Sequence, residues 1–209
     1  MKTKIALAAA FLLLLACPQF VHAVDTCKTG TLESYIELGS AGCQFNGAIY
    51  YNFAFGSPST VSISASEILV IPSLVTSTTL FPGLNFEPFV TAAGWTAAAG
   101  NTKLFNITYD VTSMLPIAPS SAALTLDLGK AKVSGTIGSA KVTEAVSTPT
   151  TSSSLEVYDT CDDVCTVQKI DSVTITPAST LHTILTVLLN GGNGGVELDS
   201  FAANDSFGV

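Results

Sequence analysis

The side chains that could do chemistry in this sequence are few and scattered. His22 precedes residue 24 in a leader-like segment, so His182 is the one histidine of the remaining chain. A histidine can act as general base for a serine nucleophile when a carboxylate orients its ring. The sequence contains no Gly-x-Ser-x-Gly turn, which places such a serine in many hydrolases. We therefore interpret His182 as an ordinary strand residue.

Carboxylates are the second candidates, because glycosidases use a pair of them on either side of the scissile bond. Glu33 and Glu37 are four residues apart on an expected helix, a spacing that is typical of a solvated face. The lone Trp95 offers at most one ring for stacking against a sugar. The other glutamates in expected strands are Glu67, Glu87, Glu144 and Glu156. Their spacing alone does not bring any two of them together.

The densest acidic segment is a short turn that contains two cysteines. Asp159, Asp162 and Asp163 surround Cys161 and Cys165. Ca²⁺ prefers oxygen ligands, so three carboxylates on one constrained turn are a weak candidate for a calcium site, although their spacing does not match an EF-hand. A solvated acidic turn is the simpler interpretation, and no cofactor is expected.

Four cysteines follow residue 23, an even number that suits disulfides in an oxidising compartment. They fall into two local pairs, Cys27 with Cys43 and Cys161 with Cys165. Three pairings are possible, and local pairing is expected because each pair brackets a turn-rich stretch. A thiolate metal site would need cysteines that stay reduced outside the cell, which disfavours it.

Residues 1–23 predict a secretory signal peptide. Lys2 and Lys4 precede an apolar run over 5–16, and 21–23 supply small residues at the cleavage position. The run is shorter than the about 20 residues that a membrane-spanning helix needs. We therefore expect a secreted or cell-surface protein in which 24–209 form one extracellular domain. An alternative lipobox over 14–17 would instead leave Cys17 acylated.

The charge balance argues against binding to polyanions. The chain has eight lysines, no arginine and sixteen acidic residues, for a net charge of −8, which becomes −10 once the two leader lysines are removed. Phosphate binding draws on clustered Lys and Arg, and anionic membrane surfaces attract basic segments. We expect neither a nucleic-acid partner nor a membrane span in the mature chain, and the oligomeric state is left open.

Short runs of β-branched and aromatic residues at regular spacing predict nine or ten strands in an antiparallel β-sandwich, Ig-like or jelly-roll-like. One short helix is expected over 31–38, ended by Gly39. The segment 147–154 is expected to be a long loop, and 190–195 a turn that closes a hairpin onto 196–201. The other strands are expected over 48–55, 60–71, 84–90, 103–111, 122–128, 130–146 (broken near Gly135 or Gly138), 155–160, 172–176 and 181–189.

Alternation within the run over 103–111 separates its two faces. Period two is the signature of a strand with one face on the core. It predicts that Leu104, Asn106, Thr108 and Asp110 lie on the outer face, and that the buried side chains are Phe105, Ile107, Tyr109 and Val111.

The block Cys27-x-x-Gly30-Thr31-Leu32-x-x-Tyr35-Ile36-x-Leu38-Gly39-Ser40-x-Gly42-Cys43 resembles the opening of exported bacterial proteins that carry a PEP-CTERM sorting tail. An aromatic strand like Tyr51-Asn52-Phe53 and a late Asn-Gly-Gly turn also recur in that group. The resemblance implies an envelope or extracellular-matrix component of Gram-negative bacteria that make exopolysaccharide, and it brings no catalytic residues. The sequence given stops at Val209, before such a tail, so this member is either released or continues beyond that residue.

Together these features predict a non-catalytic surface or matrix protein that associates with exopolysaccharide through hydroxyl-rich strand faces. Two alternatives stay open. One is a glycan-active enzyme that uses two of the scattered glutamates. The other is a carbohydrate-binding module that depends on Ca²⁺ at Asp159, Asp162 and Asp163.

Overall fold

The computed structural model describes residues 24–58, 63–77, 79–89, 95–114, 121–176 and 178–208. The predicted signal peptide, with Cys17, lies outside the described residues. The described chain forms one α-helix, α1 (Leu32–Glu37), and β-strands of different lengths. The strands are β1 (Gly30–Thr31), β2 (Cys43–Phe45), β3 (Ala48–Gly56), β4 (Ile68–Ser77), β5 (Thr79–Pro88), β6 (Trp95–Ala97), β7 (Thr102–Ser113), β8 (Ser121–Leu128), β9 (Ala131–Val133), β10 (Ile137–Ser147), β11 (Ser152–Asp162), β12 (Val164–Gln168), β13 (Ile170–Ile175), β14 (Thr180–Asn190), β15 (Val196–Leu198) and β16 (Phe201–Gly208).

These strands build two large antiparallel sheets and one small one. The seven-stranded sheet has the order β12-β11-β10-β14-β7-β3-β2, and the six-stranded sheet has the order β1-β4-β5-β16-β8-β13. The rings of Phe86 and Tyr109, one from each large sheet, approach to 6.5 Å between centroids. In the three-stranded sheet β6-β15-β9, Trp95 contacts Phe105 of one large sheet and Phe201 of the other. The predicted antiparallel β-sandwich is confirmed. Among the described residues, no helix has both the length and the apolar character that crossing a membrane requires.

Alternation along the central strands places one face of each in a common core. Phe105, Ile107, Tyr109 and Val111 of β7 are fully buried, as their period-two spacing predicted. The same rule holds on β14, where every second residue from Leu181 to Leu189 is buried, Thr183 included, and the residues that alternate with them are exposed or half-buried. The outer face of the seven-stranded sheet is therefore a separate surface, lined by the alternate residues.

The helix forms where it was predicted. Thr31 caps α1, because its Oγ1 accepts a hydrogen bond from the Ser34 amide at 3.2 Å. Gly39 follows with a φ of +54°, a left-handed conformation that favours glycine after a helix. The helix is tied to the sandwich through Tyr35, whose ring meets Phe53 edge-on at 5.0 Å.

The predicted strand over 60–71 is wrong at its centre, where Ala65–Glu67 forms a single 3₁₀ turn. The backbone N–H of Ser64 donates to Oε2 of Glu67 at 2.7 Å, and the Ser64 hydroxyl lies 3.1 Å from the same oxygen. Such local side-chain bonds offer the backbone an alternative to a ladder. The strand therefore begins at Ile68, and residues 60–62 lie outside the described part of the chain.

The predicted long loop over 147–154 is also wrong, since β10 runs to Ser147 and β11 starts at Ser152. Oγ1 of Thr148 accepts hydrogen bonds from the amides of Thr150 and Thr151, at 3.2 and 2.9 Å. A threonine hydroxyl that bonds the backbone two and three residues on stabilises a tight turn. A composition rich in Ser and Thr thus makes a hairpin here.

The glycine-rich turn over 190–195 does not close the expected hairpin. The strand after it, β15, pairs with β6 and β9 and not with β14, and the predicted strand over 196–201 is divided between β15 and β16. A Cβ on Gly191 or Gly192 would collide with the backbone carbonyls of Ala98 and Ile137. These glycines are needed because backbone packs directly on backbone there.

Both predicted disulfides are confirmed, Cys27–Cys43 and Cys161–Cys165. The first joins the chain just before α1 to the start of β2, and its cysteines are buried. The second lies across the β11–β12 hairpin, where the two cysteines are also register partners.

Replacing both cysteines of the first bridge by serine is expected to lower the free energy of unfolding more than the same change in the second. The bridges close loops of 16 and 4 residues, so loop entropy predicts losses of about 3 and about 2 kcal/mol. Thermal melts of the two double variants measure the difference. A larger loss at Cys161–Cys165 would show that loop entropy is not what sets the ranking.

Candidate functional site

The outer face of the seven-stranded sheet carries a connected group of polar side chains at the β3–β7–β14 strands. At its centre is Asp110 on β7. Its Oδ1 lies 2.7 Å from Nδ1 of His182, and its Oδ2 accepts a hydrogen bond of 2.7 Å from the Asn52 amide. The His182 side chain is 51% exposed and that of Asp110 only 20%. Asp110 is thus held from both sides, while His182 faces solvent.

A second row of hydrogen bonds lies beside the first. The Tyr51 hydroxyl is 3.1 Å from Oγ1 of Thr112, which is 3.0 Å from Oγ1 of Thr180. Thr112 and Thr180 are register partners, as are Asp110 and His182. We name the whole surface the outer polar patch, and its members are Tyr51, Asn52, Asp110, Thr112, Thr180 and His182.

A β-bulge brings Asn52 to this patch. The pairing of β3 with β7 shifts between Tyr51 and Ala54, and Asn52 has a φ of +54°. Bulges re-aim side chains next to functional sites, and asparagine tolerates this left-handed conformation better than most residues. The backbone N–H of Asn52 also has a partner, since it donates to the Gly39 carbonyl at 2.9 Å. The bulge therefore has a defined structural anchor.

The structure gives His182 the carboxylate partner that the sequence could not identify. The sequence predicted that Asp110 lies on the outer face of its strand. It could not predict that His182 lies beside it, because that contact depends on how β14 pairs with β7. On the opposite side, Ser147 of β10 is the register partner of His182. The hydrogen bonds of the described residues include none between the side chains of Ser147 and His182.

The acidic turn predicted as a weak calcium site does not form a cluster. Asp163 has a φ of +58° at the tip of the β11–β12 hairpin, and Asp162 is exposed beside it. Asp159 lies three residues back along β11. Among the described residues no three His, Cys, Asp or Glu side chains group closely enough to hold a metal ion. Asp159, Asp162 and Asp163 therefore have no shared coordination geometry.

Two acidic side chains that sequence reasoning did not connect meet inside the sandwich. Glu144 of β10 and Asp205 of β16 are both fully buried, one from each large sheet. Burial and the facing Asp205 carboxyl hold the pKa of Glu144 well above its usual range. Burial also raises the pKa of Asp205 to about 7. The hydroxyl of Tyr109 approaches Asp205 and opposes this rise, although neither group makes a hydrogen bond of ordinary geometry.

The remaining strand glutamates are engaged locally or line a surface cleft. Glu156 pairs with Lys141 at 2.8 Å. Glu87 accepts a 2.7 Å hydrogen bond from the Asn85 amide, and it lines a cleft of about 380 Å³ that Glu197 also lines. In that cleft, Lys130 and Asp199 form a salt bridge of 3.1 Å. Besides the salt-bridged Asp199, the cleft therefore holds two carboxylates, those of Glu87 and Glu197.

Comparison with known proteins finds distant likeness to solved structures. No family model matches the chain, and no curated protein does either. Among solved structures, TmCBM61 in complex with β-1,4-galactotriose is 14% identical, with 72% of this chain and 86% of that chain covered and a TM-score of 0.33. The family 11 carbohydrate-binding module from Clostridium thermocellum, in complex with a β-1,3-1,4-mixed-linked tetrasaccharide, is 10% identical, with coverages of 76% and 89% and a TM-score of 0.25. At such identities and TM-scores these likenesses name no ligand for this chain, and its function has to be inferred from its own side chains.

Proposed function

We propose that this chain is an exported, non-catalytic protein that binds polysaccharide through the outer polar patch. The observation that carries the proposal is the Asp110 carboxylate, held at 2.7 Å by both Asn52 and His182 on the solvent-facing side of a sheet. A polar group that is fixed before the ligand arrives loses little conformational entropy on binding. The patch is therefore preorganised for a ligand rich in hydroxyl groups.

The hydrogen-bonding capacity of the patch matches that of sugar hydroxyls, which both donate and accept. A carboxylate has about four lone-pair sites, and Asn52 and His182 occupy two at Asp110. With the Nδ1 proton of His182 facing the Asp110 carboxylate, Nε2 can accept from a sugar hydroxyl in the neutral ring or donate to one in the imidazolium. The second amide hydrogen of Asn52 and the ring of Tyr51 add a donor and an apolar surface.

Charge selects the class of polysaccharide. The chain has twice as many acidic as basic residues, and the centre of the patch is itself a carboxylate. Like charges repel across an interface and suppress the wrong partners. We therefore expect neutral glycans to bind, and glycans rich in uronic acid or sulfate to be excluded. The export leader predicted over 1–23 and the resemblance to matrix proteins support a place for this binding outside the cell.

Asp110→Asn and His182→Ala are expected to weaken binding of a neutral polysaccharide by about 10- to 100-fold. Each change removes a charge-assisted hydrogen bond, or its partner, worth about 1.5–3 kcal/mol. Affinity electrophoresis against a panel of neutral and acidic glycans, followed by calorimetry with the best binder, measures the loss. Thr143→Ala is the matched control, because Thr143 is half-buried on the outer side of β10, away from the patch, and should leave affinity unchanged.

Two results would contradict this proposal. Binding that survives Asp110→Asn and His182→Ala would remove the patch from the interaction. Hydrolysis of a glycan that is lost in Glu87→Gln or Glu197→Gln would make the cleft the functional site and the chain an enzyme, the alternative that its two carboxylates favour.

A further inference from the structure

Two carboxyl groups in the core are unused by the proposed function. Glu144 projects from the inner face of β10, on the same side as Val142 and Val146, and Asp205 projects from the last strand, β16. Charged groups are almost never fully buried without a partner, because desolvating an ionised carboxylate is very unfavourable. Both are completely inaccessible to solvent. Such an arrangement in a small core requires an explanation.

No cationic side chain supplies that partner. The buried polar and charged side chains of the described residues are Glu144, Thr183, Asn204 and Asp205. None of them is a lysine. The lysines with ion pairs, Lys130 and Lys141, bind Asp199 and Glu156 on the surface. The positive charge that would balance the pair therefore does not come from the described chain.

Hydroxyl groups surround the same place. Tyr50 and Tyr109 are fully buried, and both phenols are near enough to Glu144 and Asp205 for the two carboxyls to raise their pKa values further, after burial itself. Thr183, the register partner of Tyr109, is fully buried beside it. None of the oxygens in this group makes a hydrogen bond of ordinary geometry within the described structure. They are the Tyr50 and Tyr109 hydroxyls, both carboxyl oxygens of Glu144, Oγ1 of Thr183 and both carboxyl oxygens of Asp205.

The lack of hydrogen bonds distinguishes two ways of keeping these groups inside. If the carboxyls simply shared protons, their oxygens and the phenols would lie within hydrogen-bonding distance of each other, at about 2.5–3.0 Å. In the described structure none of the seven oxygens is joined to another by a hydrogen bond of ordinary geometry, although the Tyr109 hydroxyl lies close to Asp205 and Thr183. Buried oxygen atoms that lack hydrogen-bond partners are ligands of the kind that a hard cation prefers.

We propose that Glu144 and Asp205, together with the hydroxyls of Tyr50, Tyr109 and Thr183, form a buried site for a hard divalent cation of the Ca²⁺ class. Two carboxylates neutralise a charge of +2, and Ca²⁺ prefers oxygen ligands, which these side chains supply without hydrogen-bond partners of their own. Mg²⁺ fits less well, since it keeps several waters and a fully buried site offers little room for them.

The position of the site gives the cation a structural role. Glu144 belongs to the seven-stranded sheet and Asp205 to the six-stranded sheet, so one ion would join the two layers through the last strand of the chain. Metal binding to a site that exists only in the folded state adds directly to folding stability. Calcium outside the cell would thus stabilise the sandwich after export.

The test uses the whole secreted chain, purified without chelator, and elemental analysis of the protein. About one divalent ion per chain is expected. At about pH 8, Ca²⁺ at about a hundred times its dissociation constant should raise the melting temperature by about 5–10 °C over EDTA. Glu144→Gln and Asp205→Asn should abolish this shift, whereas Asp162→Asn/Asp163→Asn on the acidic turn should keep it.

Several outcomes would overturn the proposal. One is wild-type protein without stoichiometric metal and without a Ca²⁺-dependent shift. Another is a shift that persists in Glu144→Gln but is lost in the Asp162→Asn/Asp163→Asn control, which would place calcium at the acidic turn. If the core variants fail to fold, the wild type alone decides. Its Ca²⁺ shift should be lost at about pH 5, where protons occupy the carboxyls, and a shift of equal size at both pH values would exclude this site.

Discussion

The free energy of unfolding of the metal-free chain is expected to fall by about 4 kcal/mol as the pH rises from about 4 to about 8. The cause is Asp205, whose pKa is about 7 in the folded chain against an ordinary value of 3.8. Between these two values the folded protein keeps a proton that the unfolded chain has released. Folding is therefore favoured below the lower value, and the advantage disappears as the pH passes through the upper one.

Glu144 acts in the same direction, because burial and the Asp205 carboxyl raise its pKa as well. The titratable side chains that face the pair are Tyr50 and Tyr109, which burial keeps protonated throughout this range. Glu67 has the opposite sign, since the Ser64 backbone hydrogen bond lowers its pKa. Its contribution changes only below its ordinary value of 4.5, outside most of the window.

Urea unfolding in EDTA at several pH values across this window measures the slope. Asp205→Asn and Glu144→Gln each remove one titrating group and should flatten the dependence of stability on pH. Relative to the wild type, both variants should be more stable at about pH 8 than at about pH 4. Glu33→Gln, on the exposed side of α1, is the control and should leave the slope unchanged. A wild-type stability that rises with pH in EDTA would mean that the buried carboxyls are ionised without a metal.

The architecture could be predicted because period-two alternation is a local property. The pattern over 103–111 named the four buried residues of β7 correctly, and the same pattern put Asp110 on the outer face. What it could not supply is the neighbour. His182 is 72 residues away from Asp110, and their contact depends on the register between β7 and β14, which no local spacing encodes.

Glu144 shows a different limit of sequence reasoning. Its alternation with Val142 and Val146 placed it on the inner face, so the signal was present in the sequence. Charged residues are almost never fully buried without a partner, and the sequence offered no partner for Glu144. Asp205 has no such pattern, because Asn204 beside it is also buried. A pair formed across two sheets is a tertiary fact, and only the fold could bring the two carboxyls together.

Glycine misled the prediction in another way. The run over 190–195 has the composition of a hairpin turn, and the expectation that β15 would return along β14 followed from it. The structure uses Gly191 and Gly192 for close backbone packing against Ala98 and Ile137. Glycine permits both a turn and a close approach, so composition alone cannot tell which of the two a segment needs.

Phe201→Ala is expected to lower the free energy of unfolding by about 3–5 kcal/mol, the range for truncating a buried aromatic side chain. Phe201 is fully buried at the start of β16 and stacks on Phe86 with 5.0 Å between ring centroids and 19° between planes. Its ring also lies 5.5 Å from that of Trp95 in the three-stranded sheet. The truncation would leave a cavity between both neighbours.

Phe89→Ala is the matched control, because Phe89 is the same residue type at 55% exposure and should change stability by less than about 0.5 kcal/mol. Denaturant melts of both variants give the comparison. A loss at Phe201 of only about 1 kcal/mol would mean that Trp95 and Phe86 close over the gap. A full loss would show that the neighbouring rings do not close over the gap, so that the start of β16 does not repack around a smaller side chain.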